Sequence, residues 1–367
     1  MSVKFEDFTI VVKDITGGNK KYVSTEYLSE GKYPIIDQGE KFIGGYIDDE
    51  EVVKRDKDIV IFGDHTKVLK YVDFDFCLGA DGVKVLQPND KLTSKFLFYF
   101  LHTIELPNVG YSRHFKFLKE TKIPLPPLET QKAIAEKLDK ADALRKKDQE
   151  LLKQYDELAQ SIFIDMFGDP VQNEKGWGMI TIKESVELIT YGLTIRPEYL
   201  NEGIPLISAR EIRSGYINYS DAPKISIKDF NNLTAKGKPS KGDILFSKTG
   251  TIGLSSVVDK NIKFAITQNC ARMKFKSQYY NSNFVLEILR NDHFLKKCKQ
   301  LVKGNAVKDL QLGDFSKMLL IIPPLELQNQ FAEKIKNIEA QKELVKKQAE
   351  ASENLFQALL QESFSFT

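Results

Sequence analysis

Few residue groupings in this 367-residue chain are spaced for bond-making chemistry. The four histidines, His65, His102, His114 and His293, stand apart, without an HExxH or comparable pair to hold a metal. Cys77, Cys270 and Cys298 form an odd, widely spaced set with no CxxC spacing. That argues against a disulfide framework or a zinc site and fits a reducing compartment. No GxxxxGK(S/T) phosphate loop and no GxGxxG fingerprint occur. Ser247-Lys248-Thr249-Gly250 contains the KTG of penicillin-binding enzymes, and Ser29-Glu30-Gly31-Lys32 is a formal SxxK, but their SDN partner is missing. The Asp/Asn-Pro-Pro-Tyr/Phe tetrapeptide of adenine methyltransferases is missing as well. The expected chemistry is binding, with no catalytic residue, metal or cofactor in this chain.

Side chains suited to reading nucleic acid gather in loops. In the first half they are Lys20, Lys21, Gln38, Lys41, His65, Lys67, Arg113, His114 and Lys116. In the second half they are Thr194, Arg196, Ser208, Arg210, Arg213, Lys248, Thr249, Gln268, Asn269, Arg272, Lys303, Asn305 and Lys308. Arg and Lys position phosphates or grip guanine, while Gln and Asn bond adenine in pairs. Tyr111, Phe115, Tyr191 and Tyr216 lie among them. Any one of these residues would pass for solvated surface, so the grouping carries the weight. Net charge is only +2, which neither demands nor excludes a polyanionic partner and makes any basic surface local.

The elements that must position these loops are organised by a repeat. Pro126–Phe167 and Pro323–Phe364 align without a gap at an offset of 197 (323 minus 126), with 12 identities. Among them are Pro-Pro-Leu-Glu, Gln131/Gln328 and Ala135-Glu136-Lys137/Ala332-Glu333-Lys334, too many in one register for coincidence. The prolines close a preceding strand, and a helix begins near Glu129 or Glu326, its carboxylate at the positive end of the dipole. In the first copy Leu138, Ala141, Leu152, Tyr155, Ala159 and Ile162 fall on heptad positions a and d, flanked by Leu144, Leu151 and Leu158. In the second copy Ile335, Ile338, Val345, Ala349, Phe356 and Leu359 do so. Arg145 and Lys342 put a cation at the same a position in each. A helix of this length spans roughly 60 Å and needs a partner; two matching helices in one chain can supply each other.

Around the helices lie two regions rich in short strand-like runs broken by Gly, Asn and Asp. Tyr33-Pro34-Ile35-Ile36 echoes Ile204-Pro205-Leu206-Ile207, and Asp58-Ile59-Val60 echoes Asp243-Ile244-Leu245. Each region then offers a short helix, Lys95–His102 and Asn283–Asn291. The start, MSVKFEDFTI, lacks the pattern of a secretory signal, and no apolar run approaches the ~18 residues of a membrane span. A cytoplasmic protein is expected.

In these residues the whole chain resembles the specificity subunit of type I restriction-modification systems. The resemblance is carried by the two Pro-Pro-Leu-Glu helix starts, by the Ile162–Trp177 junction, and by Ile204–Ile212, Gly242–Gly253 and Gly304–Leu310. In the first domain Phe62–Lys70 matches more loosely, standing where the second has Ser-Lys-Thr-Gly. The resemblance implies an α+β chain of two mixed α/β target-recognition domains, 1–123 and 169–322, separated by two long antiparallel coiled-coil helices, 124–168 and 323–367. The internal repeat would be pseudo-twofold. It also implies double-stranded DNA as partner, with two methyltransferase subunits and two restriction/translocase subunits. S-adenosylmethionine, ATP and magnesium would belong to those subunits. A coiled-coil adaptor with two protein-binding domains is the alternative, and would bind without the salt sensitivity of DNA contacts.

Overall fold

The computed structural model describes residues 3–80, 82–107, 113–194, 197–213, 216–304 and 308–366. Its packing divides the chain into two units, residues 1–150 with 346–367, and residues 151–345. The two long helices, Leu128–Phe167 and Leu325–Phe364, each contribute one half to each unit.

The first unit holds a four-stranded antiparallel sheet in the order Val12–Asp14, Val83–Pro88, Ile59–Gly63, Leu69–Val72. Ile59–Gly63 is buried along its whole length, which is why it reads as an unbroken apolar run. The helix Ser94–His102 and the start of the first long helix complete this core with Phe96, Leu97, Phe100 and Ile134. A smaller sheet places Cys77–Gly79 parallel to Tyr33–Ile36, which pairs antiparallel with Gly45–Ile47. Lys4–Asp7 pairs with Lys122–Leu125 just ahead of the prolines that open the first long helix.

The second unit repeats the plan. Its four-stranded sheet runs Val186–Tyr191, Cys270–Phe275, Ile244–Ser247, Ser255–Val257. Ile204–Ile207 pairs parallel with Ala265–Ile266 and antiparallel with Lys224–Ile225. Gly178–Thr181 pairs with Leu319–Ile322, again just before the prolines. The junction after the first long helix is closed by Gly168, whose φ of 73° is the left-handed turn that ends a helix at little cost only for glycine. Trp177 Nε1 then donates to Phe167 O at 2.8 Å.

Within each unit the helix halves run antiparallel. In the first unit Lys137 Nζ lies 3.4 Å from Glu362 Oε2, and Arg145 Nη1 3.2 Å from Glu353 Oε2. Leu138, Ala141 and Phe356 are buried, with Leu359 partly so. In the second unit Ala159, Ile335 and Ile338 are buried in the core, Tyr155 and Ile162 pack against it, and Phe331 meets Phe163 and Phe167, each at 5.5 Å between ring centroids. Val345 is buried, whereas Leu152 and Ala349 are half-buried. Leu144 and Leu158 of the flanking row stay exposed.

The heptad pattern predicts an apolar seam, and the structure differs in its middle. Asp148, at a d position and 1% exposed, accepts from Ser352 Oγ and from Gln348 Nε2, each at 2.6 Å. In the second unit Lys342, 6% exposed, is gripped by Asp156 at 2.7 Å and Glu339 at 2.9 Å. Each buried polar group is satisfied by partners brought to it, the condition under which such groups are tolerated in an interior.

Candidate nucleic-acid interface

In the second unit four loop segments converge on a cavity of about 520 Å³ lined by Tyr191, Thr194, Lys248, Thr249, Gln268, Asn269, Asp309 and Gln311. Backbone hydrogen bonds hold them together. Lys248 N donates to Asn269 O at 2.9 Å, Leu310 N to Lys248 O at 2.8 Å, and Gln268 N to Leu193 O at 2.8 Å. Gln268 and Asn269 occupy the centre of a four-residue turn closed by Cys270 N donating to Thr267 O at 3.1 Å. Lys248 Nζ and Thr249 Oγ1 both donate to Asp309 Oδ1, and Gln311 Nε2 donates to Asp309 Oδ2 at 2.7 Å. Burial would raise the Asp309 carboxyl, but the bonds from Lys248 and Thr249 more than offset it and hold it below its ordinary 3.8.

The first unit builds the corresponding corner with different side chains. Asp64 N donates to Gly82 O at 2.5 Å and His114 N donates to Asp64 O at 2.9 Å, the same pattern that Lys248 makes with Asn269 and Leu310. By that correspondence Asp64 stands where the second unit has Lys248, Gly82 where it has Asn269, and Arg113 where it has Asp309. The acid and the base have changed places. Asp64 is buried and accepts from Phe115 N at 2.7 Å. Gly82 sits at φ 71°, a conformation that favours glycine, and a Cβ there would displace the side chains of Gln38 and His65, whose Oε1 and Cδ2 would lie 2.6 and 2.7 Å away. Gln38 Oε1 accepts from His65 N at 3.3 Å. Lys67, also at positive φ, reaches the carbonyls of Leu106 and Pro107 at 3.4 and 3.3 Å.

Beyond Gln38, His65, Lys67, Thr194, Thr249, Gln268 and Asn269, which line or flank these corners, the described residues expected at a nucleic-acid surface fall into three groups. Lys21, Lys41, Arg113, Lys116, Arg210, Arg213 and Lys308 are exposed, with no ion-pair partner among the described residues. Lys20 and Lys303 are exposed but paired, with Asp49 at 2.5 Å and Asp314 at 2.7 Å, and the hydroxyl of Ser208 is bonded to Glu211 at 2.6 Å. Arg272 and His114 correct the expectation, because neither reaches the surface. Arg272 is 5% exposed, its Nε on Asp243 at 2.7 Å and its Nη1 on Ala235 O at 2.7 Å, so it locks the sheet to a neighbouring turn. His114 is 1% exposed, with Nδ1 at 3.0 Å from Asp64 O. Lys248 is only 9% exposed and committed to Asp309. Arg196, Asn305 and Tyr111 lie outside the described residues.

Selection by cationic and amide side chains passes over Asp309 and Asp64, which set the geometry of these corners, and the expected residues also leave out the amide Gln311. The signal that finds them is the repeat, since charges of opposite sign at matched positions mark a place where the two copies have diverged. Among the described residues no group of His, Cys, Asp and Glu could hold a metal ion, and no helix is long and apolar enough to cross a membrane.

The family model described as "Type I restriction modification DNA specificity domain" matches residues 5–154 and 174–353, which together are most of the chain. The chain is 23% identical over 383 residues to the type I restriction enzyme MjaVIII specificity subunit of Methanocaldococcus jannaschii, covering 96% of this chain and 86% of that one. Its fold is similar to the S subunit of a type I restriction-modification system from M. genitalium, with a TM-score of 0.57 at 16% identity, covering 100% of this chain and 97% of that one. A chain solved in work on complex assembly and conformational transition of the type I R-M system is similar too, with a TM-score of 0.52 at 18% identity, covering 99% and 97%.

Proposed function

The chain belongs to the type I restriction modification DNA specificity domain family, and from that premise we propose that it selects the DNA sequence on which a type I restriction-modification enzyme acts. The observation that supports this most is the doubling. The family match falls twice on the chain, and each unit carries its own corner of converging loops. Each unit reads one half of a bipartite target. The matched corners carry different side chains, Asp64 and Arg113 against Lys248 and Asp309, so the half-sites differ and the target is asymmetric.

The long helices set the length of the unread spacer, and their exposed apolar residues, among them Leu144, Leu158, Leu344 and Leu355, give the methyltransferase subunits a surface to dock on. Two methyltransferase and two restriction/translocase subunits complete the enzyme, which works in the cytoplasm. S-adenosylmethionine, ATP and magnesium are bound by those subunits, and this chain contributes recognition without catalysis.

The test is single-molecule sequencing of DNA methylation in cells that make this chain with its methyltransferase, against cells that lack it. A bipartite, asymmetric motif that appears only with this chain is the expected result. No motif, with the methyltransferase active alongside another specificity subunit, would refute the assignment. Inserting one helical turn near Arg145 should change the tolerated spacer, and an unchanged spacer would remove the helices' role as a ruler.

A further inference from the structure

We propose that the cavity of the second unit reads the adenine of an A·T pair through the side-chain amides of Gln268 and Asn269. In this arrangement Lys248 and Asp309 neutralise each other, so the pocket selects a base edge and not a phosphate. The inference rests on the DNA-specificity reading above.

Charge is the first argument. Lys248 and Asp309 are the only ionised side chains among the described residues lining the cavity, and they are paired with each other. A pocket built for a phosphate needs an uncommitted cation or a fan of free backbone N–H groups. Here the Lys248 backbone N–H is spent on Asn269 O and that of Gln268 on Leu193 O. Lys248 is therefore a positioning residue, which with Thr249 fixes Asp309, and Asp309 in turn fixes Gln311.

The amides are the second. Among the described residues the exposed side chain of Gln268 and the half-buried one of Asn269 make no hydrogen bond, while their backbones are pinned in the turn Thr267–Cys270. The pinned turn presents two amides, each a donor beside an acceptor, and either can close both bonds to the adenine edge, which offers the N6 amine beside the N7 acceptor. Guanine offers two acceptors and calls for a free Arg or Lys, which this cavity lacks; cytosine offers a donor alone. In the first unit the position of Asn269 is taken by Gly82, so this reader belongs to one half-site only.

The test uses the full chain assembled with its methyltransferase and a duplex carrying the motif found by methylation sequencing. Each adenine of the two half-sites is replaced in turn by 7-deazaadenine, which lacks N7, and binding is titrated. One position in one half-site should weaken binding about tenfold. Gln268→Leu or Asn269→Leu should abolish that sensitivity and relax the motif at the same base pair while the other positions hold. The 7-deazaadenine series on the unaltered chain needs no variant to fold. If no adenine substitution in either half-site changes affinity beyond about twofold, the pocket is not an adenine reader, although the specificity function stands. If the unaltered assembly shows no sequence preference at all, both fall together.

Discussion

Gln131 and Gln328, 197 positions apart (328 minus 131), make the same three hydrogen bonds. Gln131 Oε1 accepts from Thr93 N at 2.9 Å, and its Nε2 donates to Lys91 O at 2.8 Å and Pro126 O at 3.0 Å. Gln328 Oε1 accepts from Asn281 N at 3.0 Å, and its Nε2 donates to Tyr279 O at 2.9 Å and Pro323 O at 2.8 Å. Both are fully buried. In each unit one amide ties the first turn of a long helix to the proline carbonyl ahead of it and to the N-cap of the short helix packed on the sheet. An identity noticed as a repeat marker is thus a physical necessity at both places.

Replacing either glutamine by methionine keeps the volume and strands a buried N–H and two carbonyls. We expect each of Gln131→Met and Gln328→Met to lower stability by about 1–3 kcal/mol. The two costs should be similar, because the partners are the same in kind. Urea unfolding of the full chain measures both. A loss below about 0.5 kcal/mol at either site would mean that water replaces the amide there.

Much of this fold is legible in the sequence because it is written twice. The gapless helix repeat and the Pro-Pro starts place the long helices within one residue of their observed starts at Leu128 and Leu325. The echoes around Tyr33 and Ile204, and around Asp58 and Asp243, land on matched strands. Two things stay hidden. Heptad spacing assigns Asp148 to the seam but cannot say that Ser352 and Gln348 will arrive to satisfy it, because their approach depends on the antiparallel register. Nor does residue type separate Arg272, which serves the interior, from Arg113, which faces solvent. That difference is made by Asp243, a buried carboxylate far away in sequence.

Asp148→Leu should destabilise the helix pair by about 1–3 kcal/mol, since Ser352 Oγ and Gln348 Nε2 lose the acceptor they converge on. The triple variant Asp148→Leu, Ser352→Ala, Gln348→Leu should recover most of that loss, because an apolar seam has no polar group left unpaired. Denaturant midpoints of the full chain, with a double-mutant cycle for each pair, read this directly. Additive losses in the triple variant would show that the polar cluster stabilises the pair in its own right.

Lys342 gives stability a pH dependence with a definite sign. Burial would lower its pKa, but the bonds to Asp156 and Glu339 outweigh burial and raise it above 10.5. A base whose folded value is raised contributes stability that is fully present below its unfolded value and is lost as pH rises through the folded one. The stability gap between the natural chain and Lys342→Met should therefore be constant at neutral pH and narrow only above about 10.5. Urea unfolding across an alkaline series checks it. A gap that closes near neutrality would contradict the assignment of the proton to Lys342.

Exposed cations that bind DNA phosphates release counterions, so each should leave its mark on the salt dependence of affinity. Arg113, Lys116 and Lys308 are exposed with no ion-pair partner among the described residues, whereas Lys20 and Lys303 are held by Asp49 and Asp314. Alanine at any of the first three should weaken binding across all DNA sequences and reduce the slope of log K against log salt by about 0.9. Alanine at Lys20 or Lys303 should change it less, since the remaining carboxylate already balances part of the local charge. Fluorescence anisotropy with a motif-bearing duplex, on the full chain with its methyltransferase, measures the slope over a salt series. Equal changes for both sets would mean that Asp49 and Asp314 release their lysines to DNA. No change for Arg113, Lys116 or Lys308 would move the phosphate track off these loops.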